Sequence, residues 1–477
     1  MLKQINNYSP QRVQRRLRVI WKKVTINMYK PLGGKGKKAK KIKGNMEKGN
    51  DKYVQAPLGM KDLFPEERLL WVEMENAARE EFEIAGYHEI RTPVFEDTRL
   101  FVRSIGEATD IVEKEMYTFG DSAGTSITLR PENTASVMRA YLQYELYKTK
   151  KFQKFYYIGP MFRKERPQAG RLRQFHQMGV EAIGSYDPLL DVETIKVATR
   201  VYDRLGLDGY VVKINTIGCE KCRPGYRDIL KKELSNYKDE LCELCKARLE
   251  RNVFRVLDCK NKKCKEIRKN VSNTEDHTCK DCLEHFKIVK GAFEDIGLDY
   301  TVDPHLVRGL DYYTKTVYEI THSAMGARDT ICAGGRYDNL ISDIGGPPTG
   351  AVGFAAGMEA SMIALLKVRE KNKESKLDTS SLAPDIFIVS IGIESRNYCF
   401  KLLNQLRQGG IRVDMDYECR PTKAQMKIAN KLNSRFTIIM GSEEREKGVI
   451  KLKNMQTGDE NFSEDTDKII EIVKGNR

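Results

Sequence analysis

The 477-residue sequence has no apolar run long enough to cross a membrane. The longest, from Ala351 to Leu366, is short, rich in glycine and interrupted by Glu359, whereas a membrane-spanning helix needs about 20 apolar residues. The first thirty residues also lack the uninterrupted apolar stretch and small-residue cleavage site of a secretory signal. We therefore expect a protein with no membrane partner that works in the cytoplasm.

The common nucleotide-binding motifs are also missing. The sequence contains no G-x-x-x-x-G-K-[ST] loop and no G-x-G-x-x-G between a predicted strand and a predicted helix. These absences exclude the P-loop and dinucleotide-binding classes. If the protein uses ATP, a different fold must bind it.

Outside its first 52 residues, the chain has almost no excess charge. The net charge is +15, and residues 1–52 carry 16 Lys or Arg against only Glu47 and Asp51. We predict that this tail is disordered, because it has too few large apolar residues to offset the cost of ordering its backbone. Three interpretations stay open: an RNA-binding arm, a transit-like segment, or a stretch upstream of a start at Met46.

Over the whole sequence, 40% of the residues are apolar, which is enough for more than one core. We predict a first globular region over residues 53–370, a charged and Ser-rich linker over 371–383, and a small α/β domain over 384–477. In the first region, periodicity predicts a strand over 87–96, a hairpin of 152–162 with 175–183, and a helix from about 349 to 367.

Three stretches carry the residues best suited to chemistry. In the first, Met161 to Glu181, Gln177 and Glu181 are four apart on a predicted strand and so share a face. The same stretch supplies arginines, whose planar donors match phosphate or carboxylate oxygens: Arg163, Arg166, Arg171 and Arg173. Either this is a site for an amino acid beside a phosphate, or it is a surface hairpin with exposed salt bridges.

The second stretch, LVRGLDYYTKTVYE (306–319), places an arginine, an aspartate and two tyrosines at a predicted turn before a strand. The third, residues 333–360, is rich in glycine. Its glycines allow either a ligand or a packed helix to approach the backbone closely. From residue types alone, a ligand site and an ordinary surface turn both remain open.

Taken together, the three stretches resemble the histidyl-tRNA synthetases, a family of class II aminoacyl-tRNA synthetases. The segments that carry the resemblance are TPVFE (92–96, motif 1), TLRPENT (128–134, substrate turn), FRKERPQAGRLRQFHQ (162–177, motif 2), RGLDYY (308–313, histidine signature) and AGGRYDNL with GFAAGMEA (333–340 and 353–360, leading into motif 3). The resemblance covers residues 53–477. It implies an α+β catalytic domain built on the class II antiparallel sheet, with a Cys-rich insertion over about 218–290, and a C-terminal α/β anticodon-binding domain.

The family's residue roles carry over to matching positions. Histidine binding is implied for Glu132, Asn133, Thr134, Gln177, Glu181, Tyr312 and Tyr313. ATP binding is implied for Arg163, Glu165 and Arg308, of which Arg163 and Arg308 are the catalytic residues. The implied partners are L-histidine, ATP with Mg²⁺, tRNA(His) and a second copy of the chain, which pairs through motif 1.

One position departs from the family pattern. Motif 3 typically continues Gly-x-Glu-Arg, with the arginine on the γ-phosphate of ATP, but this chain has Ala360 there. Arg336 and Arg369 are candidate replacements. The alternative function is a non-catalytic regulatory subunit of ATP phosphoribosyltransferase; such paralogues generally lack the anticodon-binding module, which the resemblance includes here.

Eight of the eleven cysteines lie within the insertion, between Cys219 and Cys282. They form three C-x-x-C pairs and one C-x4-C pair, and two such pairs complete a tetrahedral zinc site. We predict a structural zinc held by Cys242, Cys245, Cys279 and Cys282, and a second held by Cys219, Cys222, Cys259 and Cys264. The segment is also poor in large apolar residues, so a metal would replace a missing core. The alternative is a helical insertion with incidental thiols.

Overall fold

The computed structural model describes residues 53–106, 109–326, 329–373 and 379–475. These residues divide into two compact units: the first contains 53–63 and 70–373, and the second contains 64–69 and 379–475. The basic tail predicted over 1–52 lies outside the described residues, and the domain bounds given above stay predictions. In the described part of the chain, no helix combines the length and apolarity that a membrane crossing requires.

A sheet of eight strands forms the centre of the first unit. The strands of this unit are, in chain order, β1 (His88–Glu89), β2 (Phe95–Asp97), β3 (Tyr117–Gly120), β4 (Ser126–Leu129), β5 (Gln153–Phe162), β6 (Gln174–Ile183), β7 (Tyr210–Thr216), β8 (Thr301–Val302), β9 (Thr314–His322), β10 (Thr330–Arg336) and β11 (Ala351–Gly357). The large sheet has the order β1-β5-β6-β11-β10-β9-β7-β8, and β2, β4 and β3 form a small separate sheet. The six central strands of the large sheet are all antiparallel, which confirms the predicted class II architecture.

The predicted hairpin is confirmed as β5 and β6, which pair with Tyr157 opposite Gly179. Two other predicted elements are wrong. The segment 349–367 is not one helix, because Gly353 packs so closely on β6 that a Cβ there would lie 2.2 Å from the carbonyl oxygen of Val180. Its glycines therefore form β11, and a helix starts only at Met358.

The segment 87–96 is likewise two short strands in different sheets rather than one. Pro93 between them has no backbone N–H to donate to a sheet. The Arg130 guanidinium instead donates a hydrogen bond to the carbonyl oxygen of Thr92 at 3.0 Å. This turn directs the chain from the large sheet to the small one.

Twelve α-helices are described between Pro65 and Lys371, and all belong to the first unit except residues 65–69 at the start of the first helix. They are α1 (Pro65–Ile84), α2 (Thr98–Ile105), α3 (Thr134–Gln143), α4 (Leu146–Thr149), α5 (Leu189–Arg204), α6 (Arg223–Ser235), α7 (Glu243–Arg251), α8 (Phe254–Leu257), α9 (Lys262–Ile267), α10 (Lys280–Asp295), α11 (Leu340–Asp343) and α12 (Met358–Lys371). One face of the sheet packs on α5, where the hydroxyl of Tyr318 donates to Thr194 at 3.1 Å. The opposite face is open to the candidate site.

The insertion consists of α6 to α10 and packs on the rest of the unit. Contrary to the expectation of a missing core, Leu230, Leu234, Leu249 and Val256 are fully buried in one cluster that also contains Tyr313. The insertion therefore shares its apolar core with the catalytic sheet. Its cysteines are not a substitute for that core.

The second unit is a five-stranded sheet with helices. Its elements are β12 (Ile386–Ser390), α13 (Arg396–Gln408), β13 (Val413–Met415), α14 (Thr422–Lys431), β14 (Phe436–Met440), α15 (Ser442–Lys447), β15 (Ile450–Asn454), β16 (Glu460–Ser463) and α16 (Thr466–Gly475). β12 pairs in parallel with both β13 and β14, as βαβ connections require. The predicted small α/β domain is confirmed.

Candidate functional site

The floor of the candidate site is formed by β6. Gln177, Gly179 and Glu181 are spaced by two residues and lie on one face of the strand. A Cβ at Gly179 would lie 2.6 Å from the Tyr157 hydroxyl oxygen. The glycine therefore makes room for Tyr157, a buried residue that the sequence analysis missed, between the two polar side chains.

Glu132, Asn133 and Thr134 lie beside this floor at the start of α3. Glu132 accepts the backbone N–H groups of Thr134 at 2.7 Å and Ala135 at 3.0 Å, which satisfies two donors at the helix end. Burial nevertheless raises the pKa of Glu132. The carboxyl group is thus fixed in position; Arg163 favours its charged form from a distance, but among the described residues no side chain forms a salt bridge with it.

Glu181 is held by two hydroxyl groups. The Thr134 hydroxyl donates to Glu181 Oε1 at 2.8 Å, and the Tyr337 hydroxyl donates to Oε2. Burial raises the pKa of Glu181 well above its usual range. A side chain at Gly353 would collide with both Glu181 and Tyr337, so this glycine is required for the contact.

Tyr312, Tyr313 and Tyr337 form an aromatic cluster next to Glu181. The ring centroids of Tyr312 and Tyr313 are 4.7 Å apart, and Tyr337 meets Tyr312 edge-on at 5.5 Å. All three are buried, so burial raises the pKa of Tyr312 well above 10. Tyr337 was not predicted; its place directly after Arg336 in the glycine-rich third stretch was the only available signal.

The two predicted catalytic arginines lie at different edges of the site. Arg308 pairs with Glu319, and its guanidinium lies 5.8 Å from the Tyr313 ring. Burial works against its charge, but Glu319 together with Tyr313, Asp258 and Tyr312 outweighs it, and the pKa of Arg308 is raised. Arg163 donates from Nε to the carbonyl oxygen of Pro131 at 2.9 Å, and burial lowers its pKa.

Several buried polar atoms around this floor have no hydrogen-bond partner in the described part of the chain. They include Gln177 Oε1, the Tyr157 hydroxyl, Asn133 Nδ2 and Arg308 Nε. Native structures leave few buried polar atoms unpaired, because each costs free energy. These atoms indicate a site for a polar ligand that supplies both donors and acceptors.

The predicted nucleotide end of the site contains Glu165, Gly170 and Ala360. Glu165 pairs with Arg171 at 3.1 Å in the loop between β5 and β6. A Cβ at Gly170 in the same loop would lie 3.7 Å from the Cα of Ala360. The loop therefore lies over the position where the family pattern has its motif 3 arginine.

Neither predicted replacement for that arginine is positioned to act. Arg336 is fully buried and donates to Asp191 at 2.9 Å and Asp338 at 3.1 Å. Arg369 donates to Glu73 at 2.9 Å. Both guanidinium groups neutralise carboxylates in the fold, so the proposed roles for Arg336 and Arg369 are withdrawn.

The eight cysteines of the insertion form two four-cysteine clusters, but the predicted pairing of the half-sites was wrong. One cluster, the neck cluster, contains Cys219, Cys222, Cys279 and Cys282; the other, the distal cluster, contains Cys242, Cys245, Cys259 and Cys264. Each C-x-x-C pair was correctly taken as a unit. The pairing follows the chain path, because the first and last pairs lie where the chain enters and leaves the insertion, and the middle pairs lie together inside it.

Sulfur spacing in both clusters suits a metal. The distance between sulfur atoms is 3.8 Å in three pairs: Cys219 with Cys222, Cys219 with Cys279, and Cys242 with Cys259. A tetrahedron with zinc–sulfur bonds of about 2.3 Å has edges of about 3.8 Å, whereas a disulfide joins its sulfurs at about 2.05 Å. The Cys219 backbone N–H also donates to the Cys222 sulfur at 3.2 Å, which favours a thiolate.

Two family models match the chain. The model described as histidyl-tRNA synthetase matches residues 59–360, and the model described as anticodon binding domain matches residues 385–476. The first covers the large sheet, the candidate site and the insertion. The second covers most of the second unit.

Curated proteins and solved structures give the same result. The chain is 48% identical to the histidine–tRNA ligase of Halothermothrix orenii over 407 residues, which is 85% of this chain and 96% of that protein. It is 47% identical to the histidine–tRNA ligase of Caldanaerobacter subterraneus over 407 residues, with the same coverage of 85% and 96%. The crystal structure of apo S. aureus histidyl-tRNA synthetase superposes with a TM-score of 0.72 at 36% identity, covering 88% of this chain and all of that one.

Proposed function

The chain belongs to the histidyl-tRNA synthetase family, and from this premise we propose which of its residues carry each step of the reaction. The enzyme activates L-histidine with ATP to histidyl-adenylate and transfers the histidyl group to the 3′ end of tRNA(His). Relatives of high identity and coverage are histidine–tRNA ligases. The alternative, a regulatory subunit of ATP phosphoribosyltransferase, is therefore not favoured.

The observation that carries the assignment of the site is the set of unpaired polar atoms on Gln177, Asn133 and Arg308, around a buried acidic floor. An amino acid has both an ammonium group and a carboxylate, and histidine adds two ring nitrogens. Such a ligand supplies the partners that these atoms lack among the described residues. An apolar ligand would leave them unpaired.

We assign the α-ammonium group of histidine to Glu132, Thr134 and Gln177. The carboxyl of Glu132 is fixed by two backbone N–H groups, and Gln177 has an unpaired carbonyl oxygen. Asn133 supports this end, since its Oδ1 accepts the Thr92 hydroxyl at 2.6 Å. An arriving ammonium group supplies the positive charge that buried Glu132 lacks.

We assign the imidazole ring to Glu181 and Tyr313, with Tyr312 in support. The carboxyl of Glu181 accepts hydroxyl groups on both oxygens, so its orientation is set before the ligand binds. A site that hydrogen-bonds both ring nitrogens rejects apolar analogues strongly, because its own buried polar groups would be left unpaired. This arrangement supports selection of histidine over residues of similar size.

We assign the chemical step to Arg163 and Arg308. An oxygen of the histidine carboxylate attacks the α-phosphorus of ATP, the bond to the bridging oxygen breaks, and pyrophosphate leaves with the electron pair. Negative charge crowds around the α-phosphorus in the transition state, where two fixed arginines stabilise it more than they stabilise the ground state. ATP enters with Mg²⁺, which offsets part of the triphosphate charge.

No side-chain nucleophile is needed in this scheme, because the substrate carboxylate attacks directly. The enzyme supplies position and charge. Arg308 is itself positioned by Glu319, which in turn accepts the Thr330 hydroxyl at 2.9 Å. Glu319 is therefore a positioning residue that the sequence analysis did not single out.

At the nucleotide end, we assign the contact that Ala360 cannot make to the loop between β5 and β6. Gly170 lies against Ala360, and the next residue is Arg171. Arg171 pairs with Glu165 and is 51% exposed, so its guanidinium borders solvent beside the site. Its charge substitutes for the missing motif 3 arginine at the terminal phosphates.

ATP–pyrophosphate exchange with each of the twenty amino acids tests the assignment. We expect exchange with histidine alone. Exchange with another amino acid would contradict the pocket assignment. Histidine binding without exchange would contradict the catalytic role and restore the regulatory-subunit interpretation.

We also propose a homodimer. Large apolar side chains are exposed where motif 1 meets the small sheet, including Phe95 at 52% and Phe119 at 45%. The two side chains lie on β2 and β3, which flank β4 in the small sheet, and exposed apolar side chains on one sheet are typical of an association surface. Light scattering at micromolar concentration should give twice the chain mass, and a monomeric mass would contradict the proposal. We place this work in the cytoplasm, where charged tRNA is used.

Each four-cysteine cluster, we propose, holds one structural zinc ion. The sulfur spacing of 3.8 Å supports this, as does the closed, all-thiolate ligand set, which is typical of structural zinc. Elemental analysis of protein purified without chelator should find two zinc ions per chain. Less than a tenth of an equivalent, with eight freely titrating thiols, would contradict it.

A further inference from the structure

We propose that the insertion is a structural part of the histidine pocket: the neck cluster and Arg223 hold the histidine loop, defined as Arg308–Tyr313, in its binding conformation. This inference rests on the proposed histidine site and the proposed zinc ions. It assigns to Arg223 a positioning role in a step that precedes tRNA binding. An insertion that served tRNA alone would have no such role.

The neck cluster joins the two ends of the insertion. Cys219 and Cys222 follow β7 and directly precede α6, whereas Cys279 and Cys282 lie at the start of α10. A metal bound by all four sulfurs therefore fixes the start of α6 relative to the start of α10. The Arg223 backbone N–H donates to the Cys219 carbonyl oxygen at 2.9 Å, so Arg223 is placed by the same knuckle.

The Arg223 side chain reaches the histidine loop. Its Nη1 donates to the carbonyl oxygens of Tyr313 at 3.1 Å and Asp311 at 3.4 Å. These two carbonyls flank Tyr312, so one guanidinium group fixes the backbone on both sides of that residue. The guanidinium also lies over the Phe254 ring at 5.0 Å, which holds it in place from the opposite direction.

The rest of the insertion holds the loop from a second side. Asn252, at the end of α7, donates to Asp311 Oδ1 at 3.1 Å. Gly309 lies so close to Arg255 that a Cβ there would be 2.5 Å from the guanidinium. The loop is thus enclosed by side chains of the insertion over most of its length.

The strands that flank the histidine loop do not order it by themselves, because it lies between β8 and β9 without a ladder of its own. Ordering a free backbone costs conformational entropy, and a site that must order its loop on binding loses affinity. The contacts from Arg223 and Asn252 order the loop before histidine binds. We therefore predict that histidine affinity falls when the metal of the neck cluster or the Arg223 side chain is removed.

ATP–pyrophosphate exchange measures this effect without tRNA. In the full-length protein, we expect Arg223→Ala to raise the KM for histidine at least tenfold and by more than the KM for ATP, while zinc stays at two per chain. Arg223→Lys should recover part of the loss, because one ammonium group can still donate to a carbonyl. The matched control is Arg227→Ala on the same helix, which removes an exposed side chain and should leave all three values unchanged.

A second variant tests the metal itself. Cys279→Ser with Cys282→Ser should lower the zinc content from two to one and raise the histidine KM as Arg223→Ala does. Exchange with an unchanged histidine KM, in either this variant or Arg223→Ala, would overturn the inference. An impaired aminoacylation KM for tRNA alone would do the same and would assign the insertion to tRNA.

The outcomes distinguish a failure of this inference from a failure of the proposed function or of the proposed zinc sites. Wild-type protein without histidine-dependent exchange contradicts the proposed function. Wild-type protein without zinc contradicts the metal sites and with them the role of the neck cluster. A normal histidine KM in Arg223→Ala contradicts the positioning role while leaving both of those proposals intact.

Discussion

The proposed histidine pocket and the cysteine-rich insertion both contain groups suited to a ligand, but these groups are arranged in different ways. In the pocket, side chains from distant strands and loops are fixed by hydrogen bonds, and a few polar atoms such as Gln177 Oε1 stay unpaired. In the insertion, eight thiols lie in two compact groups. The pocket is organised by the sheet; the clusters are organised by short knuckles in the chain.

This difference follows from how long each ligand stays. A substrate must leave, so the unpaired polar atoms of its site lower the stability of the free protein. The sheet that carries the site is folded without the substrate. A structural metal remains, so the residues around it can rely on it. The histidine loop lies at the border of the two regions and is held by both, which makes it the place where the comparison can be tested.

The largest effect should come from the pocket. Arg308→Ala is expected to lower the turnover of ATP–pyrophosphate exchange by about 10²- to 10³-fold, the range for loss of one transition-state donor. Histidine affinity, measured by calorimetry, should fall much less, because the contact strengthens in the transition state. An equal loss in affinity and turnover would assign Arg308 to ground-state binding instead.

Glu181→Gln should weaken histidine binding and stabilise the empty enzyme. Burial raises the pKa of Glu181, so the carboxyl's contribution to stability is full below its unfolded pKa and is lost as pH rises through the folded value. The neutral amide has no such loss. In thermal unfolding, the variant should gain about 2–4 °C over wild type at pH 8 and less at pH 5. A gain that is larger at pH 5 would contradict the sign.

The two cysteine clusters should differ in their effect on the pocket. Cys259→Ser with Cys264→Ser is expected to remove one zinc ion and lower the unfolding temperature. We expect the same of Cys279→Ser with Cys282→Ser, the neck variant. For Cys259→Ser with Cys264→Ser, the histidine KM should rise less than for the neck variant, because the distal cluster reaches the histidine loop only through neighbours such as Asn252. Equal effects would show that the insertion acts on the loop as one body.

At the nucleotide end, a smaller effect is expected from Arg171→Ala. Its exposed guanidinium makes a screened contact, so the KM for ATP should rise about two- to fivefold at unchanged histidine KM, in line with the free energy of an exposed ion pair. Adding Ala360→Arg to that variant should restore the KM for ATP. Failure of Ala360→Arg to restore it would place the terminal phosphates elsewhere.

The smallest effect is expected from the basic tail. Removing residues 1–45 should leave aminoacylation unchanged within twofold, because the family match begins at residue 59. Salt-sensitive weakening of tRNA binding in the truncated protein would show instead that the tail contacts phosphates.

The two strand residues of the proposed pocket could be predicted from their spacing, whereas its other residues were implied by the resemblance to the family's motifs. Gln177 and Glu181 share a face through the two-residue period of β6, and this needs no knowledge of the rest of the fold. Tyr337 and Glu319 were missed because their roles depend on which strands become neighbours. The false helix over 349–367 has the same origin: the glycines of β11 show their purpose only against β6.

The cysteine pairs show the same limit. A C-x-x-C knuckle is local and was recognised, whereas the choice of partner for each knuckle depends on the path of the chain between them. Arg336 was mistaken for a nucleotide contact for a related reason. Its burial against Asp191 depends on two segments separated by 145 residues.

With metal bound, the proposed neck site would join the two ends of the insertion independently of the chain between them. The insertion begins after β7 at Cys219 and leads into α10 at Cys282, and four sulfur–metal bonds would join those two points directly. A protease cut in an exposed loop between the clusters would leave two fragments still clasped at their bases, and the histidine loop still held by Arg223. The metal and the apolar core that the insertion shares with the sheet would then both hold the two fragments together.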